Sequence, residues 1–337
     1  MTALGILWFI LIAVLMIGYF VLDGFDLGIG VLYPFIAKDE REKKTLMRAI
    51  GPVWDGNEVW LLTAGGALFA AFAPAYATSF SGFYLAIMLV LFGLILRAVS
   101  LEYRAHETNM LGLWDALFFV GSLLPALLFG VALGNVVQGI PLDANGDYTG
   151  SFFALLNPFA LLCGVVGLAH MLLQGACWAS LKSAEDSQLR ARALDLRKKL
   201  AMLCIVLFAL TTIVFFAIVK PGLPYEVGSV LLIALAAIIY LAATIGIVVV
   251  CKGEKPSTDL IGQLLVSVGA LAIVVLVAAV LFPNLIPATD PALSLNIANS
   301  ASSDASLTAM TIIACIGVPI MLVYHVIAYR TFRGRME

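Results

Sequence analysis

Charged residues are scarce in this sequence. Aspartate, glutamate, lysine and arginine together make up 12% of the 337 residues, about half of the share found in soluble domains. Hydrophobic residues make up 62%, which is more than a soluble protein of this size can remove from water. These figures exclude a soluble enzyme, a disordered tail and a secreted disulfide scaffold. The net charge of −2 gives no support to nucleic-acid binding.

Histidines and paired cysteines are also lacking. The chain has three histidines and five cysteines, and no two cysteines form a C-x-x-C pair, so no metal site or redox motif is predicted. Membrane cytochromes hold haem through axial histidine or methionine. Only His170 and His325 lie in apolar segments, and we expect this chain to bind no haem. The cysteines are predicted to be small buried apolar residues: Cys163, Cys177, Cys204, Cys251 and Cys315.

Long apolar runs dominate the sequence instead, and each is long enough for a membrane span of about 20 residues. The first run has no basic segment before it and is too long for a cleaved signal peptide, so it is predicted to be the first span. Gly24 and Gly28 within it are predicted to allow close helix contact. The nine predicted spans are 5–35, 51–73, 78–100, 112–138, 157–181, 200–220, 227–251, 260–282 and 307–330.

The basic residues predict the orientation of these spans. Of the 19 lysines and arginines, all except Lys220 fall in the odd-numbered connections or in the C-terminal tail. Because basic residues mark cytoplasmic segments, the N-terminus is predicted to lie outside and the C-terminus in the cytoplasm. Arg97 and Arg104 are assigned to the third connection, and Lys252 to the seventh.

Four carboxylates fall within the predicted spans. Asp23 and Asp26 lie on span 1, and Asp55 and Glu58 lie on span 2. The members of each pair are three residues apart and therefore share a helix face. All four are expected in the cytoplasmic half of the membrane, on neighbouring helices. Because ionisable residues inside membranes mark ion pathways and proton relays, these four are the candidate functional residues.

Structural alternatives exist for each pair. Asp55 and Glu58 follow a helix start, where acidic residues are favoured by the helix dipole. Asp23 and Asp26 could pair with the basic loop at 38–48 for purely structural reasons. The pattern of residues does not separate proton transfer from static charge pairing.

Two segments carry a resemblance to a known family. The segment LDGFDLGIG at 22–30 resembles the first-span signature of subunit II of the cytochrome bd-type quinol oxidases, a family that includes cyanide-insensitive members. The segment GPVWDGNEVWLLTAGGALFAAF at 51–72 resembles its second-span signature more specifically. Asn157–Phe159 and Gln174–Ala176 look like further landmarks of that family, and the resemblance covers essentially the whole chain.

The resemblance implies an all-α integral membrane protein built as two four-helix bundles, 1–138 and 157–282, with a peripheral helix at 307–330. It implies a complex in the inner (plasma) membrane of a prokaryotic cell, in which subunit I carries the quinol site and the haems, of b and d type or of b type alone. That complex oxidises quinol and reduces oxygen to water. The resemblance also implies surrounding lipid, a possible structural quinone or lipid, and a possible small accessory subunit.

The resemblance also bears on single residues. It implies that Asp55 matches the carboxylate most closely tied to a proton path through subunit II, and that Asp23 and Asp26 match an acidic pair on the first span. Trp54, Gly56, Asn57 and Trp60 belong to the same motif as Asp55. Some members of the family have glutamine at the position of Glu58. We expect no catalytic residue and no metal ligand on this chain.

Two other functions remain compatible with the residues. The four carboxylates could couple protons to a solute in a secondary transporter, a class marked by broken helices and inverted repeats. The chain could also be a purely structural scaffold, in which the carboxylates move no protons.

Overall fold

Helices make up most of the chain. The computed structural model describes residues 1–106, 109–219, 227–250 and 255–336; Lys220, Cys251 and Lys252, which entered the predictions above, lie outside them. The described helices are α1 (Ala3–Leu22), α2 (Gly24–Ile36), α3 (Glu40–Ile50), α4 (Trp54–Ala71), α5 (Ala73–Gly82), α6 (Tyr84–Arg104), α7 (Leu111–Gln138), α8 (Pro158–Lys182), α9 (Gln188–Val214), α10 (Val227–Val250), α11 (Ser257–Leu281), α12 (Ile297–Ser300) and α13 (Asp304–Thr331).

Eight of the described helical segments are long and apolar enough to cross a membrane. They correspond to every predicted span except the second, which is α4. This helix has 18 residues, or about 27 Å at 1.5 Å per residue, and Asp55, Asn57 and Glu58 lower its hydropathy. The all-α membrane fold is confirmed, while the count of nine spans depends on α4 and the orientation stays a prediction.

The first predicted span is wrong in one respect, because it is two helices that meet at Asp23. The segment classed as a membrane span runs from Ala3 to Ile36, but α1 ends at Leu22 and α2 begins at Gly24. The carbonyl oxygens of Phe20 and Leu22, beside the interruption, accept hydrogen bonds from the side-chain amides of Gln174 (3.1 Å) and Asn57 (3.1 Å). Such capping makes an interruption tolerable in an apolar environment.

The connection after α2 contains a further helix, α3, rather than a loop alone. Its N-cap, Asp39, accepts a hydrogen bond from the Glu42 amide at 2.9 Å, and the Glu42 side chain accepts from the Lys38 amide at 2.6 Å. Glu40 and Glu42 lie in the first turn and Arg48 in the last, the distribution that the helix dipole favours.

The helix α8 lies at the centre of the packing, in contact with α2, α7, α9 and α11. At its crossing with α2, a Cβ atom on Gly28 would lie 1.9 Å from the carbonyl oxygen of Met171, and a Cβ on Gly175 would lie 2.5 Å from the carbonyl carbon of Gly28. The close contact predicted for Gly24 and Gly28 is therefore confirmed, since Gly24 also packs directly against Gln174.

The division into two four-helix bundles stays a prediction. The contacts of α1 with α4 and of α6 with α7 lie within the first proposed bundle, and those of α10 with α9 and α11 lie within the second. The contacts of α2 with α8 and of α1 with α11 join the two.

The predicted peripheral helix is α13, in which only Leu307 and His325 are buried. After it, residues 332–336 turn back against α8, where the Met336 amide donates to the Lys182 carbonyl oxygen at 2.7 Å.

We call the part of the molecule formed by residues 37–53, 183–187 and 332–336 the basic end. The other end carries a short antiparallel pair of strands, β1 (Asn284–Ile286) and β2 (Leu295–Asn296).

The prediction for the cysteines is partly wrong. Cys177 and Cys204 are buried and Cys163 is half-buried, but Cys315 is exposed. It lies on α13, most of whose surface faces outward, so an apolar sequence environment here means contact with lipid or a partner rather than a protein core.

We predict that Gly28→Ala destabilises the protein, because its methyl group would overlap the Met171 carbonyl oxygen on α8. The expected cost exceeds the roughly 1–3 kcal/mol typical of an overpacked core. The measurement is the thermal midpoint and membrane yield of the assembled protein. Gly317→Ala is the matched control, since nothing lies within 4 Å of a Cβ there. Equal midpoints for the two variants would contradict the importance of this crossing.

Candidate functional site

Asp23 and Asp26 lie at the junction of α1 and α2, and both are completely buried. The interruption at Asp23 and the close approach of α8 place the two carboxyl groups inside the protein rather than in contact with lipid. One oxygen of each, Asp23 Oδ2 and Asp26 Oδ1, has no hydrogen-bond partner among the described residues.

A fully buried arginine on α6 faces this junction. The Arg97 side chain is 0% exposed; its Nη1 donates to Asp23 Oδ1 at 2.8 Å, and its Nη2 donates to Glu58 Oε2 at 3.2 Å. Its guanidinium also lies 5.9 Å from the ring centre of Trp54, a cation–π arrangement.

The assignment of Arg97 to a connection is therefore wrong. It is a membrane-embedded member of the site, which the sequence predictions missed. The available signal was its position as the only charged residue in α6 before Glu102, since an arginine inside an apolar run requires an ionised partner.

Asn57 links the carboxyl groups to two other helices. Its Nδ2 donates to Asp26 Oδ2 at 2.7 Å and to the Leu22 carbonyl oxygen, and its Oδ1 accepts from the Tyr329 hydroxyl at 2.9 Å. The side chain is fully buried, and all of these partners lie outside α4. The motif residue Asn57 thus joins the junction of α1 and α2 to α13.

The remaining motif residues face α13 or the cluster. Trp60 Nε1 donates to His325 Nε2 at 3.2 Å. Gly56 lies against Tyr324, where a Cβ would be only 2.7 Å from the ring. Glu58 is partly exposed, at 19% of its side chain.

Asp55 is exposed in this chain and forms none of the hydrogen bonds or ion pairs that join the other three carboxylates. The structure therefore brings Asp23, Asp26 and Glu58 together and leaves Asp55 beside them, at the start of α4.

The charges of this cluster do not balance when every group is ionised. Asp23, Asp26 and Glu58 supply three carboxyl groups, whereas in the described part of the chain Arg97 is the one cation paired with this cluster, through Asp23 and Glu58. Net buried charge is strongly unfavourable, so bound protons or an external cation must offset it. The arrangement is chemically suited to holding and exchanging protons.

A second ionic cluster closes the basic end. Asp115 on α7 accepts from Tyr33 (2.7 Å), Lys43 (2.7 Å) and Arg104, and Arg104 also pairs with Glu40 at 2.9 Å. The hydrogen bond to Asp115 raises the pKa of Lys43. Partial burial acts to raise the pKa of Glu40, but contact with Arg104 outweighs it and lowers that pKa. These ion pairs fasten α3 to α6 and α7.

Histidines and acidic residues do not gather into a metal site in the described ranges, where no three of His, Cys, Asp or Glu are arranged to hold an ion. His325 Nε2 accepts a hydrogen bond from Trp60, and its Nδ1 lies 2.9 Å from the Met321 carbonyl oxygen. His170 is buried between α8, α10 and α11, with its ring 5.7 Å from that of Tyr240. The absence of haem from this chain stays a prediction.

Comparison with known proteins identifies the family. The family model described as cytochrome bd terminal oxidase subunit II matches residues 4–332. The chain belongs to this family. Cytochrome bd-I ubiquinol oxidase subunit 2 of Escherichia coli K12 is 36% identical over 366 residues, covering 99% of this chain and 95% of the relative. Cytochrome bd ubiquinol oxidase subunit 2 of Bacillus subtilis 168 is 32% identical over 340 residues, covering 100% and 98%.

The fold agrees with this assignment. The structure of bd oxidase from Geobacillus thermodenitrificans contains a chain that matches with a TM-score of 0.76 at 14% identity, covering 98% of this chain and 99% of that one. The resemblance stated from the sequence is confirmed, as is localisation in the cell membrane. A subunit II belongs to an oxidoreductase complex and implies a subunit I partner, so the secondary transporter is not retained.

We predict that Arg97→Met destabilises this subunit II by about 3–5 kcal/mol, because it leaves Asp23 and Glu58 without their buried cation. The thermal midpoint and yield of the assembled oxidase measure the loss. Adding Asp23→Asn to Arg97→Met should recover part of it, since the two side chains are directly coupled. An Arg97→Met protein as stable as the wild type would contradict this prediction.

Proposed function

We propose that this chain is a haem-free subunit II that supports assembly with subunit I and delivers protons from the basic end towards the oxygen-reducing site. Quinol and oxygen are the substrates of the proposed complex, and its haems, b and d or b alone, belong to subunit I. The observation that supports proton delivery is the cluster in which Arg97 pairs with Asp23 and Glu58 and the buried Asp26 lies beside them on Asn57, with no second cation paired to it among the described residues.

The positions of the carboxylates suggest a direction for this route. Asp55 is exposed in the first turn of α4, next to the basic end, and is the proposed entrance. Glu58 lies one turn further along the same helix and is partly exposed, so it can exchange protons with both Asp55 and the interior. Asp23 and Asp26 are fully buried and form the proposed inner part of the route.

The chemistry of the proposed complex requires a supply of protons, which this route would provide. Reduction of oxygen to water consumes protons as well as electrons, and a site closed off by lipid cannot draw those protons directly from water. A carboxyl group can release a bound proton only if its ionised form is stabilised. Arg97 beside Asp23, and the Asn57 amide beside Asp26, are suited to that task.

We predict that Asp26→Asn lowers quinol oxidase turnover of the assembled complex by about a hundredfold, the lower end of the range typical of lost proton-transfer groups. Asp55→Asn should lower it to a smaller extent, since water can reach Glu58 without Asp55. Haem absorbance per complex should be unchanged in both variants. Oxygen consumption with excess quinol, together with a haem spectrum, provides the measurement.

Glu102→Gln is the matched control, because it also removes an exposed carboxylate near the basic end but lies outside the cluster. Full turnover with unchanged proton uptake in Asp26→Asn would rule out the proton route. Loss of haem in step with activity would instead support a purely structural scaffold.

We also propose that an apolar cleft on this subunit holds a structural quinone or lipid. The cleft encloses about 470 Å³ between α1, α4 and α13, and its lining is almost entirely apolar, which suits an isoprenoid or acyl chain. Its walls include Trp8, Leu15, Trp60, Met310, Ala314 and Met321.

We predict that Ala314→Trp fills this cleft and removes one bound quinone or lipid from the purified complex. Native mass spectrometry followed by extraction distinguishes the two classes of molecule. Ala309→Trp, at an exposed position of α13 outside the cleft, should keep the molecule. Retention of the same bound molecules in both variants would refute a site in this cleft.

A further inference from the structure

The helix α13 has little buried surface but makes specific polar contacts with the carboxylate cluster. His325 and Leu307 are its only buried residues, and its neighbours are α1 and α4. On the side that faces α4, His325 accepts from Trp60, and the Tyr329 hydroxyl donates to Asn57 Oδ1 at 2.9 Å. The Tyr329 ring also packs near Phe25 and Trp178, with centre distances of 6.5 and 6.0 Å.

The Leu22 carbonyl oxygen and the Tyr329 hydroxyl together hold the Asn57 amide with its NH₂ group towards Asp26. A side-chain amide has one accepting oxygen and one donating NH₂ group. The Leu22 carbonyl can only accept and so requires the NH₂ group on its side, while Tyr329 binds the amide oxygen. The NH₂ group therefore also donates to Asp26 Oδ2, 2.7 Å away. This orientation stabilises the ionised carboxylate. In the opposite orientation, the amide oxygen would face Asp26 and would require a protonated carboxyl group.

The C-terminal tail holds the end of α13 that carries Tyr329. Six residues after Tyr329, Arg335 donates to the carbonyl oxygens of Ser180 (3.0 Å) and Ser183 (2.9 Å) and pairs with Asp259 at 2.9 Å. Asp259 is completely buried and also pairs with Arg190. Lys182 donates to the Phe332 carbonyl oxygen. The tail therefore fastens α13 to the ends of α8 and α11.

We propose that Tyr329 is a positioning residue of the proton route: it acts through Asn57 on Asp26, and the contact of Arg335 with Asp259 keeps it in place. The proposal rests on the proposed function of the carboxylate cluster. It assigns to the peripheral helix a role in proton release from Asp26. The titratable or charged groups around Asp26, Asn57 and Tyr329 are Tyr19, Asp23, Glu58, Arg97, Tyr324 and His325.

The first test is Tyr329→Phe in the assembled oxidase. Without the hydroxyl, the Asn57 amide oxygen loses its partner and the side chain is held less firmly, so its hydrogen bond to the ionised Asp26 weakens and Asp26 releases its proton less readily. We expect turnover to fall about three- to tenfold, the KM for quinol to stay constant, and the alkaline limb of the pH profile to move to higher pH. Haem content should not change. Tyr324→Phe is the control, because that hydroxyl lies on the same helix and is on a half-exposed side chain.

The second test concerns the tail. Arg335→Gln should shift the pH profile in the same direction by a smaller amount, and Arg333→Gln, at an exposed position, should not shift it. In the double variant Tyr329→Phe/Arg335→Gln, the shift should equal that of Tyr329→Phe alone, because the two residues act on the same contact.

The outcomes separate this proposal from the proton route itself. If Asp26→Asn lowers turnover as predicted while Tyr329→Phe leaves rate and pH profile unchanged, the positioning role is wrong and the route stands. If both variants are fully active, the route is wrong as well. Loss of haem in proportion to rate in Tyr329→Phe would mean that Tyr329 acts in assembly, which also overturns the proposal.

Discussion

The ion pair between Arg97 and Asp23 is the interaction on which the rest of the site depends. Both side chains are completely buried, in a protein whose surroundings are largely lipid. An isolated charge in such a place is strongly unfavourable, so each group requires the other. Their pairing fixes α6 against the junction of α1 and α2, and Glu58 adds α4 to the same contact.

This pairing depends on how closely the neighbouring helices approach. Gly28 and Gly175 allow the backbones of α2 and α8 to touch, which removes the junction at Asp23 from contact with lipid. The same approach brings Gln174 to the Phe20 carbonyl oxygen. A larger side chain at this crossing would separate α8 from α2 and leave the interrupted helix with an unsatisfied carbonyl group, a costly arrangement in an apolar environment.

The two halves of the chain meet again at the basic end and at α13. Arg192 pairs with Glu42 and donates to the Ile36 carbonyl oxygen at 2.8 Å, and the tail contacts α8 and α11. These are contacts of charged groups with charged or backbone partners. The tail contacts supply positional order to α13, which buries little apolar surface and gains little from packing.

Composition and the lengths of the apolar runs were enough to predict a membrane protein and eight of the spans that the structure describes. The carboxylates Asp23, Asp26, Asp55 and Glu58 were also found from the sequence alone, because charge inside an apolar run is conspicuous in one dimension. The same reasoning placed Arg97 in a connection, since it lies near the end of its span.

The identities of the partners were hidden for a physical reason: Asn57 and Tyr329 are 272 residues apart in the chain. Which carboxylates meet Arg97, which one stays exposed, and which end of the Asn57 amide faces Asp26 are decided by helix crossings and by a break at Asp23. The crossings and the break depend on the close approach of glycines on different helices. Hydropathy along one helix carries no information about that approach.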